Sequence, residues 1–306
     1  MKHNNLKGSL ILCTAALIWG LAFVAQSGAA DKVPSFTFNA LRSFIGALAL
    51  FIFWKIINIK QKDGFFPKEK NDRKNYYKAA MVCGVCLAVS MNLQQFGIAI
   101  YPKGAAVEAR AGFLTALYVI LVPIMSVFMR KKINPLVWVG VIVAMFGVYC
   151  LCLGSGIKGI YFGDILLFCC AISFATHILA VDKYVGFTGG VKLSIMQFFV
   201  VGVISSVLSV IFDTVNWQLV LDCVPQILYL GIMSSGVAYT LQIVGQKYAE
   251  PAVASITMSL ESVFAALGGV VISGNMLLPN EILGCVLVFV AIIVAQLPEL
   301  MKPKSV

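Results

Sequence analysis

Ten apolar runs, each close to twenty residues long, constrain this 306-residue chain more than any single residue does. They fall at roughly 6–28, 36–57, 78–99, 106–129, 135–153, 163–183, 191–212, 223–246, 252–273 and 280–297. A helix needs about 20 apolar residues to cross about 30 Å of hydrocarbon. Charged residues make up only 12 % of the chain, about half the share usual in soluble domains, and apolar ones 60 %. The expected fold class is therefore an all-α integral membrane protein of ten transmembrane helices, with the lipid bilayer as its first partner.

The second half of the chain echoes the first. A shift of 155 pairs Gly8 with Gly163, Ala16 with Ala171, Ala25 with Ala180, Arg42 with Gln197 and Phe44 with Phe199. A shift of 147 pairs Gly84, Gln95 and Tyr101 with Gly231, Gln242 and Tyr248. Shifts of 143 and 144 pair Leu117 with Leu260, Pro135 with Pro279 and Gly140 with Gly284. The offsets change only where loops are expected, and the matches keep their order. This reads as a duplication, with one five-helix repeat over 6–153 and a second over 163–297. An odd number of helices per repeat makes the second copy enter from the opposite side, so the repeats are inverted.

Charge placement agrees. With the N-terminus inside, most Lys and Arg fall on the cytoplasmic side: Lys2 and Lys7, the run from Lys55 to Lys78, Arg130 to Lys132, Lys183, Lys192, Lys247, Lys302 and Lys304. Only Lys32, Lys103 and Lys158 fall outside. Basic residues favour cytoplasmic loops, so both termini are expected in the cytoplasm of a cell (plasma) membrane, with a bacterial inner membrane the expected setting. The net charge of +10 is mostly this bias. No basic stripe is interleaved with aromatics, and no nucleic-acid partner is expected. The loop from Lys60 to Lys78 could touch anionic lipid heads or serve topology alone. Residues 1–30 resemble a cleavable signal, but their apolar run is too long and the repeat needs it as a helix.

Ionisable groups inside spans are costly and usually have a cavity or partner. Glu261 is the tenth residue of the ninth span, near the bilayer middle, with Ala254, Thr257, Met258, Ala265 and Gly268 on its face. His177 lies at similar depth in the sixth span, and a pair with Glu261 would suit proton coupling. Each could instead be a polar group tying helices together. Ser235, Tyr239, Gln242 and Gln246 follow steps of four, three and four in the eighth span, hence one helical face; their counterparts are Asn92, Gln94 and Gln95. Such a stripe either lines a cavity or bonds neighbouring helices, since lipid cannot satisfy it. Arg42, Glu108 and Arg110 are expected at the cavity mouth, the arginines snorkelling outward. Trp19, Phe23, Tyr118 and Tyr239 sit away from span ends and, on a cavity wall, would suit an apolar, aromatic or cationic substrate. The Cys83/Cys86 pair lies in an apolar span with no second pair, and no metal site is expected.

The run Ala111-Gly-Phe-Leu-Thr-Ala-Leu-Tyr-Val-Ile-Leu-Val-Pro123, followed by a basic turn, resembles the fourth helix of the drug/metabolite transporter superfamily, in the branch built from two EamA domains. Ser235-Ser-Gly-Val-Ala-Tyr-Thr-Leu-Gln242 with Gln246 and Ser259-Leu-Glu-Ser-Val-Phe264 resemble its eighth and ninth helices, and Ala16-Leu-Ile-Trp-Gly20 the start of its first. The resemblance implies a ten-helix basket around a central cavity lined mainly by helices one, three, four, six, eight and nine. It also implies transport of small metabolites, amino acids or drugs, commonly outward. Where family members often have Pro after the ninth-helix Glu, this chain has Ser262, so that helix's irregularity does not carry over from the pattern; the fourth helix keeps Pro123. The repeat superposes Tyr118 on Glu261 and Ala22 on His177, which suggests a titratable side and an aromatic side to one cavity.

The expected function is a secondary active transporter, an exporter of small organic metabolites, working by alternating access and coupled to protons through Glu261 and His177. No G-x-x-x-x-G-K-[ST] phosphate loop occurs, which argues against a primary pump. A membrane-embedded enzyme would need clustered catalytic groups, and a channel a filter or charge ring; neither is visible. No catalytic residue and no cofactor is expected, the partner is a small-molecule substrate, and the chain is expected as a monomer or loose homodimer.

Overall fold

The computed structural model describes residues 5–30, 32–59, 64–67, 69–101, 107–153, 160–273 and 278–301, without the side chains at positions 5, 23, 24, 27, 30, 107–110, 153, 269–273 and 299. All regular structure among them is helical. The ten rods are α1 (Asn5–Ala30), α2 (Ser35–Ile57), α3 (Lys70–Ala99), α4 (halves Val107–Ala116 and Tyr118–Phe128), α5 (Pro135–Leu153), α6 (Phe162–Thr188), α7 (Gly190–Phe212), α8 (Val224–Gln246), α9 (halves Pro251–Met258 and Leu260–Ser273) and α10 (Pro279–Leu300). Nine described helices are long and apolar enough to cross a bilayer, and α1 adds the shorter apolar stretch Leu6–Ala22. Large apolar side chains such as Ile142, Val210 and Ile293 are exposed on the outside of the bundle. Only hydrocarbon leaves such a surface without cost, and closed helices are what satisfy the backbone there.

The repeat seen in the sequence is a two-fold in space. Equivalent residues of the two halves meet each other: Phe44 and Phe199 pack edge to face at 6.1 Å on α2 and α7, and the Tyr118 hydroxyl donates to Glu261 Oε1 at 3.1 Å between α4 and α9. Off the axis, contacts recur in pairs. A Cβ on Gly84 of α3 would lie 2.6 Å from Val200 Cβ and 3.2 Å from the Gln197 carbonyl of α7. A Cβ on its counterpart Gly231 of α8 would lie 2.7 Å from Ile45 Cγ2 and 3.1 Å from the Arg42 carbonyl of α2. Ile45 and Arg42 stand 155 positions before Val200 and Gln197, the offset read from the sequence. Small residues at such crossings let membrane helices approach closely, which is where their association energy comes from.

Among the described residues, α4, α8 and α9 depart from regular α geometry. The break in α4 at Leu117 comes just before Val119, whose carbonyl loses its usual donor to the ring of Pro123. The break in α9 at Ser259 has no proline. There, Ser255 and Ser259 hydroxyls donate to the carbonyls three residues back at 2.8 and 2.7 Å, competing with the backbone ladder. The irregularity that Ser262 leaves unsupported in the family pattern is thus produced by serines upstream. In α8, Leu230–Ala238 is π-helical, the wide turn that puts residues five apart on one face.

Candidate functional site

A cavity lies between the two repeats. Trp19, Ala22 and Gln26 of α1, Gln94 of α3 and Arg42 of α2 line it from the first repeat, with Thr115 and Tyr118 of α4. The second repeat contributes Phe174 and Ile178 of α6, Ser234, Tyr239 and Gln242 of α8, and Met258 and Glu261 of α9. Six of its helices are those implied by the resemblance, and α2 is an addition.

Glu261 is 8 % exposed, and that exposure is to the cavity. It is the second residue of the second half of α9, two beyond the Ser259 break, while Tyr118 opens the second half of α4. Superposed residues of the repeats are therefore hydrogen-bonded partners across the axis, so Tyr118 stands beside the carboxyl and not on an aromatic side facing it. The other wall is aromatic: Trp19 meets Tyr239 edge-on at 4.8 Å, and Tyr239 rests in turn on Phe198 at 5.2 Å and His177 at 6.3 Å. Trp19 Nε1 and Gln242 Oε1 are buried without a hydrogen-bond partner.

Several expectations are corrected by this geometry. His177 is fully buried behind Tyr239, outside the cavity lining, and its Nε2 pairs with Gln197 at 3.1 Å, so it makes no pair with Glu261. Its helix packs mainly on α3 and α4. Asn92 also stays outside the cavity, holding Asn39 and Ser205 at 3.1 and 2.8 Å. Gln95 stands behind Gln26, accepting its Nε2 at 2.6 Å, and Gln94 faces inward in its place. In α8 the cavity takes Ser234 and leaves Ser235 fully buried against Gly46 of α2, because the π-helical turn sets Ser234 and Tyr239, five apart, on one face. Gln246 leaves the stripe too, donating to the Ile178 carbonyl at 3.0 Å.

Arg42 does not snorkel. It is the eighth residue of α2, about 10 Å from the helix start, and only 4 % exposed. α2 is wedged between α7 and α8, so its inner face has no lipid boundary to reach. The guanidinium Nε donates to Asn39 Oδ1 at 2.9 Å and lies over the Phe38 ring at 5.6 Å. Asn39 in turn donates to the Met91 carbonyl and to Asn92 Oδ1 at 3.0 and 3.1 Å. Asn39→Ala is expected to lower unfolding stability in detergent by about 1–3 kcal/mol, because it strips buried partners from both Arg42 and Asn92. A variant as stable as the parent would count against this network. The side chains of Phe23, Glu108 and Arg110 lie outside the described residues. Gln26, Thr115, Phe174 and Ser234 line the cavity without having been singled out, whereas Gln94 and Met258 were marked by the polar stripe and by the face of Glu261.

Beyond the cavity, toward the N-terminal end of the bundle, the interior is solid. Leu12, Val253, Ile256 and Met258 are at most 1 % exposed, and the Ser9 and Thr257 hydroxyls are hydrogen-bonded at 3.2 Å across α1 and α9.

A two-fold bundle of membrane-spanning helices, holding a polar and aromatic cavity between its repeats and closed at one end, has the build of a multi-pass membrane transporter. The model of the EamA-like transporter family matches residues 6–153 and 161–296, and the chain belongs to that family, in the drug/metabolite transporter superfamily. An uncharacterized transporter of Archaeoglobus fulgidus is 30 % identical over 300 residues, covering 96 % of this chain and 87 % of that protein. The uncharacterized transporter YoaV of Bacillus subtilis is 23 % identical over 288 residues, covering 92 % of this chain and 94 % of its own. A solved structure, titled only as the crystal structure of a protein, shares the fold with a TM-score of 0.77 at 18 % identity, covering 96 % of this chain and 99 % of that one.

Proposed function

We propose that this protein is a secondary active transporter that exports a small amphipathic organic metabolite across the cell membrane by alternating access, with Glu261 carrying a coupling proton. It has no enzymatic activity in this reading, and both termini face the cytoplasm. The observation that carries it is the Tyr118–Glu261 hydrogen bond. It joins the repeats at equivalent positions beside the cavity, where the halves must move against each other for a midplane site to face either side. A proton on Glu261 changes what that carboxyl can accept and donate, and so biases one arrangement of the halves over the other. The packed end beneath the cavity, with Ser9 against Thr257, serves as the closed cytoplasmic gate of an outward-facing state.

The test is flux in proteoliposomes under an imposed pH gradient, starting with aromatic amino acids and amphipathic amines. Saturable uptake that is stimulated by substrate on the far side is expected. Non-saturating flux would favour a channel, and chemical turnover of the added compound an enzyme. Either result would overturn the transporter mechanism.

A further inference from the structure

Arg42 keeps a positive charge inside the bundle where the second repeat shows that none is required. Arg42 and Gln197 are equivalent positions on α2 and α7, both at most 4 % exposed. In the second repeat a neutral amide fills the position and is held by His177. In the first repeat the residue equivalent to His177 is Ala22, and the room its methyl leaves belongs to the cavity that Arg42 lines. The architecture accepts glutamine here, so the guanidinium is not needed for packing.

The guanidinium is also incompletely satisfied. Nε binds Asn39, but among the described residues the two terminal nitrogens find no hydrogen-bond acceptor and no carboxylate lies within ion-pairing distance. Arginine does not lose its proton in proteins, and an unpaired buried charge is among the most costly features a fold can retain. A planar fork with its terminal donors free matches the two oxygens of a carboxylate. Asn39, fixed by Met91 and Asn92, holds that fork toward the cavity.

We infer that Arg42 is the recognition group for a carboxylate-type anion, so that the cavity takes small amphipathic organic anions or zwitterions and rejects compounds whose only charge is positive. This rests on the transporter reading of the same cavity, and it replaces the cationic substrate suggested by the aromatic walls alone. The apolar body lies against Trp19, Phe174 and Tyr239. Glu261, on the same cavity, offers its carboxyl to an ammonium group in a zwitterion or keeps its proton beside a simple anion. In both cases the load neutralises the charge of Arg42.

Three probes of one shape separate the possibilities: 3-phenylpropanoate, phenylalanine and 2-phenylethylamine, each tested for thermal stabilisation of the full-length protein in detergent and for flux in proteoliposomes. The two carboxylates are expected to stabilise the parent protein and the amine is not. Arg42→Gln, which copies the second repeat, is expected to keep or raise the unliganded melting temperature and to weaken carboxylate binding by about 10-fold or more, with Arg42→Lys falling between in affinity. Preference for phenylalanine would place an ammonium at Glu261, and preference for phenylpropanoate a proton; both support the proposal. Stabilisation by the amine as strong as by the carboxylates, no stabilisation by either carboxylate, or unchanged carboxylate affinity in Arg42→Gln would overturn it. The probe series on the parent protein decides the matter even if the variants fail to fold. Carboxylate binding without flux would leave Arg42 as an anion site and sink the transport reading, whereas flux of the amine alone would do the reverse.

Discussion

Glu261→Gln is expected to bring pH-gradient-driven accumulation in proteoliposomes down to simple equilibration, while exchange of substrate down its own gradient persists. Glutamine keeps the shape of the side chain and an oxygen to accept the Tyr118 hydroxyl, now at 3.1 Å from Oε1. What it removes is the proton that the carboxyl can bind and release beside the cavity. Ionisable residues cost about 2.5 kcal/mol or more at mid-membrane on insertion scales, so the amide is expected to fold at least as well as the parent. Loss of accumulation cannot then be assigned to loss of protein. Tyr118→Phe removes the hydrogen bond and leaves the carboxyl, and is expected to slow exchange while some gradient response remains. Undiminished accumulation and pH dependence in Glu261→Gln would remove protons from the mechanism.

Gly284→Val is expected to eliminate monodisperse protein or to lower its stability sharply. At the α5–α10 crossing, a Cβ on Gly284 would lie 2.6 Å from the Gly147 carbonyl oxygen and 2.7 Å from the Leu151 amide nitrogen. Both neighbours are backbone, so no rotamer can clear the clash and the helices must separate. The crossing is mirrored by the two-fold, since a Cβ on Gly140 would lie 3.0 Å from the Ala291 carbonyl, and a shift on one side is transmitted to the other. Overpacking in a well-packed interior costs about 1–3 kcal/mol, and a branched side chain against rigid backbone belongs at or above the upper end. Membrane helices associate mainly through such close packing. Ile293→Val, at a side chain 61 % exposed on the same helix, is the control and is expected to be neutral. A melting temperature for Gly284→Val equal to that of the control would mean that α5 and α10 do not approach this closely.

What could be read from the chain and what could not divide along physical lines. The 155 and 147 offsets gave the correct partners at the level of single contacts, because Gly84 and Gly231 meet Val200 and Ile45 in equivalent geometry. Position along the span follows for Glu261 from the rise per residue once the span is known. Direction around a helix was less secure. A strict 3.6-residue period selected Ser235, and the π-helical turn of α8 put Ser234 on the cavity instead. His177 and Arg42 were placed at comparable or shallower depth with no information on their neighbours, and the two exchanged roles: the imidazole is packed away behind Tyr239, and the guanidinium lines the site.

The sequence by itself determined the class, the ten-helix plan, the duplication and the residues that superpose. These follow from hydrocarbon thickness, from backbone groups that only a closed helix can satisfy in lipid, and from the parity of five helices per repeat. Only the tertiary structure decided that Tyr118 and Glu261 touch, that α4 and α9 break beside them, and that Arg42 lines the cavity with no ion-pair partner among the described residues. Those facts depend on how far each helix is rotated about its own axis and how closely it meets its neighbour, and a few ångströms of packing between backbones fix both.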